Sequence, residues 1–105
     1  MLSENLILNP NGLKFDKGIH IDAKVNLDIF SETVDSVIRI SSSGEVIGDL
    51  TAENVLVNGK VKGNIVAKEM VEVTENAKVF GSVTCKKFVG NRKSVYQGRI
   101  VERKH

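Results

Sequence analysis

Cysteine, histidine and paired carboxylates build most protein active sites, and this chain is poor in them. It has one cysteine, Cys85, and two histidines, His20 and His105. A lone thiol can form neither an internal disulfide nor a multi-cysteine zinc site. Cys85 falls on the inward beat of an alternation described below, level with Ala52 and Ala67, where a thiol is an inert apolar filler rather than a nucleophile. His20 alternates outward between Ile19 and Ile21, and His105 is terminal, so no second histidine is spaced to make a metal pair. Asp22, Asp28, Glu45, Asp49 and Glu53 are outward acids with nothing to desolvate them for acid–base work. No phosphate-binding loop or nucleophile–base pairing occurs. The reading is therefore a non-enzyme, with no catalytic residue, no metal, no cofactor and no small-molecule substrate.

Charge is the chemistry that remains. Residues 1–58 hold nine acids and four bases, and residues 59–105 hold four acids and eleven bases. Lys86, Lys87, Arg92, Lys93, Arg99, Arg103 and Lys104 crowd the end of the chain. Such a patch suits anionic lipid or an acidic partner. The plainer alternative is a solvated face that deters edge pairing. Nucleic acid is not expected, because aromatics interleave the patch only at Phe88 and Tyr96.

The elements that position these residues are strands. With 105 residues the chain is one domain. Aromatics are 5% and Trp is absent, so the core must be aliphatic, and Val and Ile favour strands. No apolar run is long enough to cross a bilayer. "MLSENLILN" carries Glu4 where a signal peptide needs positive charge. A cytoplasmic protein is expected. Leu6, Ile7 and Leu8 read as part of a cap or tail, with a membrane-touching segment as the alternative.

One small pattern recurs. Four copies centre on "VIGDLTA" (46–52), "VKGNIVA" (61–67), "VFGSVTC" (79–85) and "YQGRIVE" (96–102), with Gly48, Gly63, Gly81 and Gly98 spaced by 15, 18 and 17 residues. A degenerate fifth copy, "IHIDAKVNLDIFS" (19–31), matches "VLVNGKVKGNIVA" (55–67) and places Leu27 in the glycine slot. "IRISSSGEV" (38–46) matches "VEVTENAKV" (71–79), leaving a three-residue excess near Asp35 to Val37 that reads as a bulged corner or small loop. "LKF" (13–15) begins a partial sixth copy. Val46, Gly48, Leu50 and Ala52 alternate with Glu45, Ile47, Asp49, Thr51 and Glu53, the period-two mark of a strand with one buried face.

Each copy is too short to bury that face alone, but stacked copies can. Stacking predicts the columns Val25/Val46/Val61/Val79/Tyr96, Ile29/Leu50/Ile65/Val83/Ile100 and Ser31/Ala52/Ala67/Cys85. The glycine column fits either a corner needing positive φ or a core too narrow for a side chain, and Leu27 favours the second at one end. The expected fold is an all-β solenoid of about five to six short triangular rungs. It is expected to be a right-handed β-helix, because no six-residue beat of the left-handed kind is present. The expected layout is an N-terminal tail or cap over 1–12, the solenoid over 13–101 and a tail over 102–105.

The pattern "AENVLVNGKVKGNIVAK" resembles the bactofilins, bacterial polymer-forming cytoskeletal proteins, over about residues 38–101 with a weaker extension to Ile19. The resemblance implies a right-handed triangular β-helix and end-to-end, nucleotide-independent, non-polar filaments. It also implies a place in the cytoplasm or at the inner face of the membrane, and partners among envelope-modifying proteins. The chain departs from the family in its degenerate upstream copy and in lacking Pro-rich tails, with Pro10 its single proline.

A solenoid has two ends, and exposed strand edges recruit other chains unless capped. The expected polymer contacts are Leu13 and Phe15 at one end and Tyr96, Ile100 and Val101 at the other, with Lys86, Lys87, Arg92, Lys93 and Arg99 as the anionic-partner patch. The acidic early half and basic late half favour head-to-tail contact by Coulomb attraction, against the like-end joining that the resemblance implies. Two alternatives remain. One is a non-filamentous binding module using the basic late face. The other is a trimeric acyltransferase-like enzyme, a class that needs a histidine on the coils, where only His20 stands.

Overall fold

Short apolar–polar alternations interrupted by Gly, Asn and Ser form strands that must stack to be dry. The computed structural model describes residues 7–9 and 12–103. Among them every regular element is a strand, as the periodicity predicts. Leu6, Lys104 and His105, named above, lie outside the described residues, as do the side chains of Ile7 and Leu8.

The chain winds around three sides. The first is a five-stranded parallel sheet of β4 (Lys24–Val25), β7 (Glu45–Ile47), β9 (Lys60–Lys62), β11 (Lys78–Phe80) and β14 (Val95–Gln97). The second stacks β2 (Gly12–Lys14), β5 (Ile29–Phe30), the starts of β8 (Leu50–Val57) and β10 (Ile65–Val73), β12 (Val83–Cys85) and β15 (Ile100–Glu102). The third stacks β3 (Gly18–Ile21), β6 (Val37–Ile40), the ends of β8 and β10, and β13 (Lys87–Val89). β1 (Ile7–Asn9) returns antiparallel along β2, the one antiparallel pair among the described strands.

Register along the second side runs Leu13, Ile29, Leu50, Ile65, Val83, Ile100. Successive coils therefore take 16, 21, 15, 18 and 17 residues, five turns in all. The first side stacks Val25, Val46, Val61, Val79 and Tyr96, as the repeat predicts. The third side stacks Ile19, Ile38, Val55, Val71 and Phe88. The upstream copy thus lies two coils before the copy it resembles, in the same columns. These columns are the core: Val46, Val61, Val79, Leu50, Ile65, Ile38 and Val71 are each 0% exposed.

Two features differ from the sequence reading. In the third and fourth coils the second and third sides are not separate strands, because β8 and β10 bend through the corner unbroken, with a register shift between Ala67 and Met70. The glycine column is a corner rather than a narrow core. Leu27, which argued for the core, is 39% exposed. The step from the first to the second side is always four residues (25 to 29, 46 to 50, 61 to 65, 79 to 83, 96 to 100), with a glycine in the middle of the last four and Leu27 in the middle of the first.

The 21-residue coil carries the expected bulged corner. Its chain turns through Asp35, at φ +60°, and tucks Ser36 in at 0% exposure. The Glu53 amide donates to the Ser36 hydroxyl at 3.0 Å, so the buried polar group is satisfied.

Candidate functional site

The outlying residues of the core columns differ sharply from the central ones. Ile100 continues a column whose members Leu50, Ile65 and Val83 are 0–1% exposed, yet it is 38% exposed itself. Nothing among the described residues stacks above it. Among the described strands, β13, β14 and β15 each pair with one below and with none above. Among the described residues, the last coil therefore presents three unpaired strand edges around a partly open core.

Aromatic bulk partly closes that opening. Phe88 and Tyr96 are half-buried, pack on the aliphatic core and meet edge to face, centroids 5.6 Å apart at 64°. Such a pair covers more area than the valines beneath it. Glu102 supplies a polar plug. It follows Cys85 in its column, and its Oε2 accepts the Phe88 amide at 2.9 Å, satisfying one donor of the free β13 edge. Beneath it Cys85 is 1% exposed. Burial, and then the nearby Glu102 carboxylate, push its thiol pKa up, against a backbone hydrogen bond at Val71 that lowers it. A thiol held protonated and dry is a core group, as the sequence predicts.

The opposite end is built differently. Leu13 is 6% exposed and Phe15 is 1% exposed, so both fill the first coil instead of presenting a free surface. Phe15 donates its amide to the Phe30 carbonyl at 3.0 Å and heads the column that continues through Ser31. Val101 also departs from a simple end contact. It lies on the outward face of the second side, above Thr51, Val66 and Thr84.

The basic patch does not form one surface. Lys86, Lys87 and Arg103 line a groove of about 550 Å³ at the corner between the second and third sides, with Asn54, Glu69 and Met70. Lys68 adjoins it, beside Lys86 and Arg103. Lys93 is at the corner between the third and first sides, 3.8 Å from Glu75, and exposed Arg92 is its neighbour in the same loop. Arg99 follows Gly98 at the remaining corner. Lys86, Lys87, Arg92, Lys93 and Arg99 all belong to the last coil, however. Counted from Leu13 by coil, the net formal charges are 0, −3, +1, −1 and +5. The charge split of the sequence is thus a single basic coil at one end, and the first coil, with three acids and three bases, is neutral.

One set of functional side chains escaped the sequence reading. At the corner between the first and second sides, the residues that follow Leu27, Gly48 and Gly63 each accept an amide from the coil above. Asp28 Oδ1 accepts the Asp49 amide at 2.8 Å, Asp49 Oδ1 the Asn64 amide at 2.9 Å, and Asn64 Oδ1 the Ser82 amide at 3.1 Å. The signal was present as the run Asp28, Asp49, Asn64, Ser82. Arg99 occupies the next place and carries no side-chain oxygen.

His20 is exposed on the third side beside Arg39. Among the described residues no group of three or more His, Cys, Asp or Glu is arranged to hold a metal ion. Among them too, no helix is long and apolar enough to cross a membrane.

A family model described as "Bactofilin: Polymer-forming cytoskeletal" matches residues 2–101, nearly the whole chain. No match is found among curated proteins or among solved structures.

Proposed function

The chain belongs to the bactofilin family, and from that membership we propose that it is a structural subunit joining copies of itself end to end into filaments. The observation that carries this reading is the change within one column, from 0–1% exposure at Leu50, Ile65 and Val83 to 38% at Ile100. A further coil from a second copy would dry it. Completing the burial of a side chain about one-third exposed is worth roughly 0.5–1 kcal/mol. Phe88, Tyr96 and Ile100 from both copies would then give roughly 3–6 kcal/mol, against an association cost of about 4–15 kcal/mol. Apolar contact reaches only the bottom of that cost, so pairing of the edges of β13, β14 and β15 across the joint supplies the rest.

Like ends meet in this reading, giving a filament without polarity. Its Coulomb objection is weakened by the neutral first coil, which offers the basic end no strong counter-charge. Tyr96 and Ile100 carry the joint directly, Val101 flanks it, and Leu13 and Phe15 act only by shaping the first coil. The filament serves as a cytoplasmic scaffold for cell shape or envelope machinery, with the inner membrane surface and envelope-modifying proteins as its further partners.

Ile100→Glu is the direct test. It places a charge in the open column without touching the buried ones. Wild type should pellet on ultracentrifugation and the variant should stay in the supernatant, with the same β-rich circular dichroism. A wild-type chain that remains monomeric at every concentration and salt condition tried would end the reading.

A further inference from the structure

The net +5 belongs to the coil that a like-end joint must bring against its own copy. Between Lys86 and Arg103 there are six bases and one acid, and the acid, Glu102, is engaged with the Phe88 amide. Adjacent coils across a joint lie about 4.8 Å apart. That is inside the Debye length of about 8 Å at physiological salt, so repulsion between the two last coils is not screened away. The apolar and backbone terms of the joint are modest, so this repulsion decides whether it forms.

The same coil holds a place where the charge can be cancelled. The groove at the corner of the second and third sides gathers Lys86, Lys87 and Arg103, with Lys68 adjoining, against the single carboxylate of Glu69. Two lysines and an arginine lining one open groove have side chains long enough to turn their charged ends onto a multivalent oxyanion of the phosphate type, which a guanidinium can hold through two hydrogen bonds. Arg92 and Lys93 are on another corner, with Glu75 near Lys93, and Arg99 is on the third, so they add repulsion without lining the groove.

We propose that joining at this end is gated by anions: a multivalent oxyanion held between Lys86, Lys87 and Arg103 neutralises the last coil and allows two copies to meet. The proposal rests on the assembly reading above and adds its control. It also reverses the usual salt response. A joint of basic end on acidic end weakens as salt rises, whereas a joint of like charges tightens.

The test is sedimentation velocity of the full chain at about 0.01 M ionic strength, where the Debye length is about 30 Å. Sodium pyrophosphate is titrated in one arm and sodium chloride, at matched ionic strength, in the other. Wild type should associate roughly tenfold more tightly with pyrophosphate than with matched chloride. The doubly neutralised variant Lys86→Gln/Lys87→Gln should associate without pyrophosphate and ignore its addition. Both lysines are exposed, so the fold should tolerate the exchange. Equal effects of the two salts would overturn the groove as a site. Association that weakens with either salt would overturn the gate while leaving assembly intact. A chain monomeric in every arm, variant included, would remove the assembly reading and the gate with it.

Discussion

At Gly63 the backbone has φ +152°, and a Cβ built there would lie 2.1 Å from the carbonyl oxygen of Gly48 in the coil below. Both facts forbid a side chain. The conformation is one that L residues rarely adopt, and the obstacle is backbone that cannot swing aside. Gly63→Ala should therefore cost about 3 kcal/mol or more, read as a lower urea midpoint. Leu27 holds the same place in the upstream copy without a positive φ and stands 39% exposed. Leu27→Ala should stay within about 0.5 kcal/mol of wild type in the same titration. The pair of substitutions separates a corner glycine from a core glycine, the distinction that sequence spacing left open.

Among elements, the corner between the first and second sides is the most regular, because two devices act on it together. The glycines let successive coils approach closely, and the side chains of Asp28, Asp49 and Asn64 then tie each coil to the next. Asn64 accepts twice, from the Ser82 amide at 3.1 Å and from its hydroxyl at 2.9 Å. Asn64→Ala should cost about 1–2 kcal/mol, measured by the same denaturant titration. Asn64→Asp, which keeps the acceptor, should recover most of that loss. The corner between the second and third sides is looser. It absorbs the nine-residue step from Ile29 to Ile38, where the other coils need five or six. Ser31, Thr33 and Ser36 satisfy its polar groups locally. An insertion survives there because it leaves the register of all three columns unchanged.

For the whole molecule, stability in a stack comes from each coil's two neighbours, so the coils are not equivalent. The third and fourth coils are flanked on both sides, while the fifth is flanked on one. Amide hydrogen exchange should be slowest within Leu50–Val73 and fastest within Lys87–Glu102, and assembly should slow the latter selectively. Uniform protection along the chain, or an assembled state that leaves Lys87–Glu102 as fast as before, would count against a joint at this end. Membership of a polymer-forming cytoskeletal family and the one-sided exposure of Ile100 point the same way.

The sequence by itself determined the columns. A period-two alternation with one apolar face can be dried only by its own copies, and parallel stacking sets Val46, Val61 and Val79 above one another whatever the corners do. It also disclosed the bulged corner near Asp35, since an insertion shows as a gap between two matched stretches. Only the tertiary structure decided where each residue stands around and along the stack. Sequence spacing gives a position within a coil but not the direction a corner faces. The basic patch, continuous when read along the chain, was therefore distributed over three corners, and the Asp28–Ser82 ladder went unseen until its members were brought one above another. The same reason holds for the ends. Leu13 and Phe15 looked like contact residues because they begin the stack, yet whether a first coil is open or filled depends on what packs against it, and that is a property of the folded molecule alone.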